Sequence, residues 1–254
     1  MEIILLAGKA GVGKTTAAKT IAGVAFDNGF TPVLESFAKP IKEAAKEKGW
    51  DKETYPEDYR QFCQDMGARA RADNPDHWVE LMETRLKDLL IAEREDFNAG
   101  KKFWERVVII DDCRYMNEID LGHKANATLV FLSYGKRKLG EADWRSHESE
   151  RLANAIESGD IELADNFPWI IANDTTEKRF IDCIKRQAPY WCGLSVSEEF
   201  DPSMHDIDDW KLYKDNTHLE EAVEELLDLL DFKFENGNFT TDLDDEELDD
   251  EETK

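Results

Sequence analysis

The segment GKAGVGKTT, residues 8–16, combines three glycines, two lysines and two threonines. Its spacing G-x-x-x-x-G-K-T is typical of a loop whose backbone N–H groups surround phosphate oxygens, with the lysine on the phosphates and the threonine hydroxyl on Mg²⁺. The motif follows an apolar run and precedes a helix-like segment, which is the context that such a loop requires. The sequence therefore predicts a site for ATP and Mg²⁺, formed by Gly8, Ala10, Gly11, Val12, Gly13, Lys14, Thr15 and Thr16.

Lys9 places a second lysine near the start of this loop. ATPases that dimerise over their nucleotide carry such a lysine, so a dimerising ATP-dependent switch is one interpretation. The acidic switch segment expected after the second strand is replaced here by ESFAKPIKEAAKEKG. The alternatives are a solvated lysine at the loop tip and a lysine that helps to hold a phosphate from outside.

A second charged group ends the apolar run RVVIIDDCR, residues 106–114. Asp111 and Asp112 are predicted at the carboxyl end of a parallel strand beside the phosphate loop, where carboxylates bind Mg²⁺ or its waters. Arg114 would then point at a phosphate. In the alternative interpretation, one aspartate only caps the next helix.

The segment 58–79 is predicted to contain a helix that leads to a turn with aspartate and proline, at Asp73-Asn74-Pro75-Asp76. Arg60, Gln64 and Arg71 recur at i, i+4 and i+11, so they share one helix face. This face is either an ordinary solvated surface or a clamp, in which forked guanidinium groups hold a second phosphate and the amide reads a base.

A third basic cluster follows the fourth predicted strand, in YGKRKLGEADWRSHESER. Phosphoryl transfer needs positive charge around the migrating group, which mobile arginines supply when they close over it. The segment of about 134–150 is therefore predicted to be a lid, with Arg137 and Arg145 as the arginines that reach the site. Because the segment also contains acids, an ordinary charged loop is the alternative.

The elements that must position these residues form a regular alternation. Short apolar runs predict strands at 2–7, 31–36, 106–111, 127–132 and 168–173. Helical patterns lie between them, at 14–28, 40–48, 56–72 and 76–98, and the last places Trp78, Leu81, Leu86 and Leu89 roughly on one side. This alternation predicts an α/β fold of three layers, with a mostly parallel five-stranded sheet between helices.

The charge is uneven along the chain. The net charge is −25, but residues 220–254 hold 16 acidic and 2 basic residues, so this end supplies −14 and the rest −11. We expect a domain over 1–188, an extension over 189–235 with an acidic helix at 219–232, and a disordered acidic tail over 236–254. The net charge of −25 argues against a general nucleic-acid binder, which needs lysines and arginines to displace phosphate counterions.

The sequence pattern shows no sign of a signal peptide, a membrane span or a structural zinc site. No apolar stretch approaches the roughly 20 residues that span a bilayer, and the first residues do not resemble a signal peptide. The four cysteines show no C-x-x-C pairing, so we expect no structural zinc. These features predict a reduced cytoplasmic protein with small-molecule partners and no direct contact with nucleic acid or membrane.

Taken together, several segments resemble the deoxynucleoside monophosphate kinases of tailed bacteriophages. SFAKPIKEAA resembles the family's Phe-Ala-x-Pro-Leu-Lys segment, YRQFCQDMGARAR its Arg-x-x-x-Gln-x-x-Gly-x-x-x-Arg helix, and DDCRYMNEID its Asp-x-Arg-Phe-x-Asn-Glu segment. SHESE resembles the family's later His-x-Ser-Glu segment, and IIANDT resembles its terminal strand that ends in asparagine. The resemblance covers roughly residues 3–187 in the right order.

This resemblance implies ATP-dependent phosphorylation of a deoxynucleoside 5′-monophosphate, in the host cytoplasm if the chain is phage-encoded. It implies that Lys14 and Thr15 serve the ATP phosphates and Mg²⁺, that Arg71 and Arg114 bind the monophosphate, and that Asp112 belongs to the metal–water network or the acceptor. A helical region of about 37–100 would bind the acceptor. The residues expected at the acceptor are Phe37, Lys42, Arg60, Gln64, Arg71, Trp78, Arg114 and Glu118.

Some features depart from the family pattern, namely Lys39, Lys9 and the acidic C-terminus. They leave open which base is accepted and whether the chain forms a homodimer. The acidic end could dock other proteins, but solubilising disorder is its simplest interpretation. A P-loop kinase of another small acceptor, such as dephospho-coenzyme A, is the nearest alternative. The aromatic and amide residues that suit a base pocket suit a hydrophobic core equally well.

Overall fold

The computed structural model describes residues 1–51, 53–100, 105–135 and 147–194, together with the backbone of strands at 232–235 and 238–241. The chain divides into two units, Met1–Leu212 and Tyr213–Lys254. Within the first unit, five strands form one all-parallel sheet in the order β2-β3-β1-β4-β5. They are β1 (Glu2–Gly8), β2 (Thr31–Glu35), β3 (Arg106–Cys113), β4 (Thr128–Ser133) and β5 (Trp169–Ala172).

Eight α-helices accompany this sheet in the described part of the chain. They are α1 (Lys14–Asp27), α2 (Lys39–Glu47), α3 (Pro56–Asp73), α4 (His77–Asn98), α5 (Met116–Lys124), α6 (Arg151–Glu157), α7 (Ile161–Ala164) and α8 (Glu177–Trp191). A 3-10 helix spans Glu148–Glu150. The predicted α/β class and five-stranded sheet are confirmed, and every strand of the sheet is parallel.

Successive residues of a strand point to opposite sides of the sheet. Since the strands carry apolar residues on both sides, helices pack on both faces. On β1, Ile3 and Leu5 belong to a core with buried residues of α2, α4 and α5, whereas Ile4 and Leu6 belong to a core with α1 and α8. The central strands are apolar on both faces, as parallel strands between two helix layers must be. This arrangement places the carboxyl ends of β1 and β3 next to each other.

Helix α4 corrects one detail of the sequence prediction. Trp78 and Leu86 are buried and Leu89 packs against the same core, but Leu81 is 37% exposed. Met82 is fully buried in its place. Positions 78, 82, 86 and 89 follow the i, i+4, i+8, i+11 spacing of a single helical stripe, and position 81 lies at its margin.

The second unit contains the antiparallel strands β6 (Phe232–Glu235) and β7 (Asn238–Thr241), with Phe234 paired with Phe239. The sequence analysis predicted neither strand, although Asn236 and Gly237 between them form a common hairpin dipeptide. Strand β7 lies within the segment 236–254, for which the sequence predicts disorder. The predicted acidic helix lies outside the described residues, except for Phe232. Among the described helices, none is sufficiently long and apolar to cross a bilayer.

Candidate functional site

The loop between β1 and α1 lies at the carboxyl edge of the sheet, and its glycines adopt a conformation that other residues rarely take. Gly8, Gly11 and Gly13 have φ angles of 135°, 80° and 104°. A Cβ atom at Gly8 would lie 2.3 Å from the carbonyl oxygen of Leu132, and one at Gly11 would lie 2.9 Å from Tyr134 Oη. The loop therefore needs glycine both for its backbone angles and for space.

Lys14 begins α1 and folds back over the loop, where it is 7% exposed. Its Nζ donates hydrogen bonds to the carbonyl oxygens of Gly8 at 2.5 Å and Lys9 at 2.9 Å. Burial lowers the pKa of Lys14 to about 8, and the nearby Arg114 guanidinium acts in the same direction. An anion between these two cations would favour the protonated lysine, so the geometry suits a phosphate.

Two of the three residues that the sequence predicts at Mg²⁺, Thr15 and Asp111, are in contact, and Asp112 is the third. Thr15 Oγ1 donates to Asp111 Oδ2 at 2.9 Å, and Thr15 is exposed. The described residues contain no cluster of three or more His, Cys, Asp or Glu side chains that would hold a metal ion alone. Mg²⁺ commonly takes one or two protein ligands and completes its shell with phosphate oxygens and water. The Thr15–Asp111 pair and the phosphate loop fit such an ion.

Asp112 has a different environment from Asp111. Its carboxylate accepts hydrogen bonds from the backbone N–H groups of Phe37 at 2.8 Å and Ala38 at 3.2 Å. Lys42 Nζ lies 3.3 Å from Asp112 Oδ2 and also donates to Ser36 Oγ at 2.9 Å. These contacts attach the start of α2 to the end of β3. In this conformation Asp112 positions the turn before α2, and its role at a metal or acceptor stays a prediction.

Two side chains that the sequence analysis did not select hold the phosphate loop in place. Tyr134 Oη donates to the carbonyl oxygen of Ala10 at 2.7 Å, and Asn173 Nδ2 donates to that of Val12 at 2.8 Å. Each residue comes directly after a strand, β4 or β5. Parallel strands end at the same edge of the sheet, so a polar residue directly after a predicted strand is expected near the loop. This position in the sequence is the signal that could have identified Tyr134 and Asn173.

Lys9 is paired within its own chain. Its Nζ lies 2.5 Å from Glu157 Oε2, and the other oxygen of Glu157 accepts from the backbone N–H of Tyr134 at 3.0 Å. Lys9 therefore links the loop to α6 in the same molecule. A lysine that reaches across a dimer to a second nucleotide would first have to leave this ion pair.

On the other side of the site, Arg71 of α3 meets Glu118 of α5. Arg71 Nη2 donates to Glu118 Oε1 at 3.1 Å, and its guanidinium carbon lies 3.8 Å from the centre of the Tyr115 ring. Glu118 Oε2 accepts from the backbone N–H groups of Arg114 at 2.7 Å and Tyr115 at 3.1 Å. One carboxylate thus fixes the Arg71 side chain and the backbone that carries Arg114.

Glu118 is 2% exposed, and burial raises its pKa to about 7, with Asp112 acting in the same direction. The hydrogen bond from the Arg114 N–H and the charge of Arg71 oppose this rise. A buried carboxylate with three donors is costly to replace because each donor would be left without its acceptor. Glu118 is consequently a support for both arginines.

Arg114 extends from the end of β3 towards the phosphate loop. Its Nη1 donates to Ser149 Oγ at 3.3 Å and forms a very short ion pair with Glu150 Oε1. Glu150 Oε2 accepts from the backbone N–H of Ala10, within the loop, at 2.8 Å. The sequence analysis counted Glu150 only among the acids of the predicted lid, although it lies in the SHESE segment.

The remaining predicted residues have different positions. Phe37 and Trp78 are 2% and 4% exposed and belong to the core, where Trp78 Nε1 donates to the carbonyl oxygen of Gly67 at 3.3 Å. Their contact with a ligand stays a prediction. Arg60 and Gln64 are half-buried on α3, at helical positions that share the face of Arg71. Arg137 and Arg145 lie outside the described residues.

Compared with known protein families and with curated proteins, the chain matches none. The candidate site combines a glycine-rich loop, a threonine–aspartate oxygen pair, and one buried carboxylate that contacts the Arg71 side chain and the Arg114 backbone.

Proposed function

We propose that this chain is a P-loop kinase that transfers the γ-phosphoryl group of ATP to a deoxynucleoside 5′-monophosphate, as its resemblance to the phage kinases implies. In this proposal the fold is a three-layer P-loop fold with a helical acceptor-binding region and a lid. Its ligands are small molecules, namely ATP, Mg²⁺ and the monophosphate.

The observation that carries the proposal is the second cationic group beside the phosphate loop. An ATP site alone needs the loop, Lys14 and the Mg²⁺ ligands. Here one carboxylate, that of Glu118, accepts from the Arg71 guanidinium and from the backbone N–H of Arg114, 43 positions later in the sequence. The Arg114 guanidinium itself lies against Glu150, which also contacts the loop. Arginine is well suited to phosphate because its planar group donates two parallel hydrogen bonds. A second phosphate-bearing substrate accounts for this arrangement.

The residues support phosphoryl transfer by position and charge. The loop N–H groups and Lys14 would hold the donor phosphates, while Arg71 and Arg114 would hold the acceptor phosphate in line with them. Thr15 and Asp111 would hold Mg²⁺, which neutralises charge on the phosphates when it is bound. An acceptor phosphate is already anionic near neutral pH, so the site needs no strong general base.

The test is an acceptor screen with purified protein and Mg-ATP. Each of the four deoxynucleoside monophosphates is supplied separately, with dephospho-coenzyme A and a sample without acceptor as comparisons, and ADP and diphosphate are separated by chromatography. We expect diphosphate that depends on a deoxynucleoside monophosphate. Transfer only to dephospho-coenzyme A would replace the acceptor in the proposal. ADP formed equally without acceptor would favour the dimerising ATPase instead.

A further inference from the structure

Glu150 places a negative charge directly on the phosphate loop. Its two carboxylate oxygens contact different groups, one the backbone N–H of Ala10 and the other Arg114 Nη1. These are a loop N–H group, of the kind that surrounds a nucleotide phosphate, and an arginine that the proposed function assigns to phosphate. A carboxylate with this pair of partners stands in for a phosphate group.

The surroundings of Glu150 show why a charge is stable there. The residue is 3% exposed, so its carboxylate is largely removed from water. Lys14 and Arg114 supply positive charge, while Asp111 and Asp112 are the other acids that act on Lys14. The two cations repel each other, and the Glu150 carboxylate compensates their charge.

A bound phosphate changes this balance. A phosphate oxygen on the Ala10 N–H or on Arg114 would compete with Glu150 for the same hydrogen bonds. It would also repel the carboxylate at a distance where little water screens the charges. The carboxylate and the outermost phosphate of the donor cannot both accept the Ala10 N–H.

We propose that Glu150 is an internal counter-ion of the phosphate site, and that the terminal phosphate of the nucleotide displaces its carboxylate from the Ala10 N–H, which also separates the carboxylate from Arg114. The inference depends on the proposed function only in that the loop binds a nucleoside triphosphate. Glu150 weakens the binding of the triphosphate relative to the diphosphate, which lacks the group that competes. Its carboxylate also joins Arg114 to the loop, because it contacts both Arg114 Nη1 and the Ala10 N–H.

The test compares the affinities of ATP and ADP in the full chain and in the variant Glu150→Gln, by calorimetry with Mg²⁺ and without acceptor. The amide has nearly the same shape but lacks the charge. We expect the ratio of the ADP to the ATP dissociation constant to rise by about tenfold in Glu150→Gln. The control is Glu148→Gln, which removes an exposed charge from the same 3-10 helix and should leave the ratio unchanged.

The proposal is overturned if the ratio is unchanged in Glu150→Gln, or if ATP binding weakens more than ADP binding, since Glu150 would then support the bound phosphate. If Glu150→Gln does not fold, Glu150→Asp gives the decision. Its shorter side chain retains the charge but reaches less far towards Ala10, so the ratio of the ADP to the ATP dissociation constant should rise in this variant too. An unchanged or lower ratio in Glu150→Asp would overturn the proposal. The proposed function fails separately, through a lack of acceptor-dependent diphosphate.

Discussion

The two sides of the site differ in how the chain builds them. The side proposed to bind ATP, here the donor side, is continuous, because residues 8–16 supply the loop, the lysine and the threonine in one segment. The side proposed to bind the second substrate, here the acceptor side, is assembled from α3, the end of β3 and α5, and one buried carboxylate connects these elements. The difference indicates that the donor side depends on backbone conformation, whereas the acceptor side depends on ion pairs between distant segments.

This comparison predicts that the two sides fail differently. A change on the donor side should remove nucleotide binding and turnover together. A change on the acceptor side should weaken the second substrate while the affinity for ATP is retained.

The largest effect is expected for Lys14→Met. The variant keeps a long side chain but removes the buried positive charge of the phosphate loop, so we expect kcat/KM to fall by about 10³-fold. Steady-state kinetics of diphosphate formation measure it, and circular dichroism checks the fold. Lys9→Met is the matched control, because Lys9 pairs with Glu157 outside the phosphate-facing part of the loop. A loss of similar size in Lys9→Met would contradict the distinction between these lysines.

The acceptor side is broken most directly by Arg71→Met. Loss of a charge-assisted hydrogen bond costs about 1.5–3 kcal/mol, so KM for the monophosphate should rise about 10- to 100-fold. The dissociation constant of ATP should stay within about twofold, as measured by calorimetry. Arg69→Met is the control, because Arg69 is exposed on the same helix. Equal effects of the two substitutions would remove Arg71 from the acceptor site.

Glu118→Gln tests the support rather than the phosphate-binding groups. The amide has one oxygen for the three donors that Glu118 now accepts, so we expect a loss of about 1–3 kcal/mol in the free energy of unfolding. The KM of the acceptor should rise about tenfold as Arg71 and Arg114 lose their common partner. Denaturant unfolding and acceptor titration measure the two effects. A variant with lower stability but an unchanged KM would show that Glu118 only holds the fold.

A smaller effect concerns pH on the donor side. Burial lowers the pKa of Lys14 from 10.5 to about 8, so its proton is released as pH rises through about 8. Bound phosphate favours the protonated form, and nucleotide binding should therefore take up a proton between about pH 8 and 10. The dissociation constant of ATP should rise over this range. Calorimetry at pH 9 in buffers of different ionisation enthalpy measures the uptake, and its absence would contradict the buried position of Lys14.

Much of the donor side follows from the sequence because it is local. The glycine spacing and the strand before it determine the loop, and the alternation of apolar runs determines the order of strands and helices. The boundaries of the predicted strands and of the four predicted helices differ from the structure by at most two residues. Leu81 is an exception, since a difference of one position on a helix decides between core and solvent.

The acceptor side is less accessible to sequence analysis because its contacts join residues far apart in the chain. Nothing in the spacing of Arg71 and Glu118 shows that they meet, and the different partners of Asp111 and Asp112 depend on which turn packs against the end of β3. The contacts of Glu150 with the loop and with Arg114 were not predicted, for the same reason. Glu150 lies 140 positions from Ala10, and only the folded chain brings its carboxylate to the loop.

The most direct measurement follows the γ-phosphate of ATP with an isotopic label in the presence of each deoxynucleoside monophosphate. The proposed function predicts that the label appears in the deoxynucleoside diphosphate, with ADP formed in equal amount. Transfer should be strongly reduced in Arg71→Met at low acceptor concentration and little changed in Arg69→Met. Label found only as free phosphate, in equal amount with and without the acceptor, would contradict a second substrate site beside the loop.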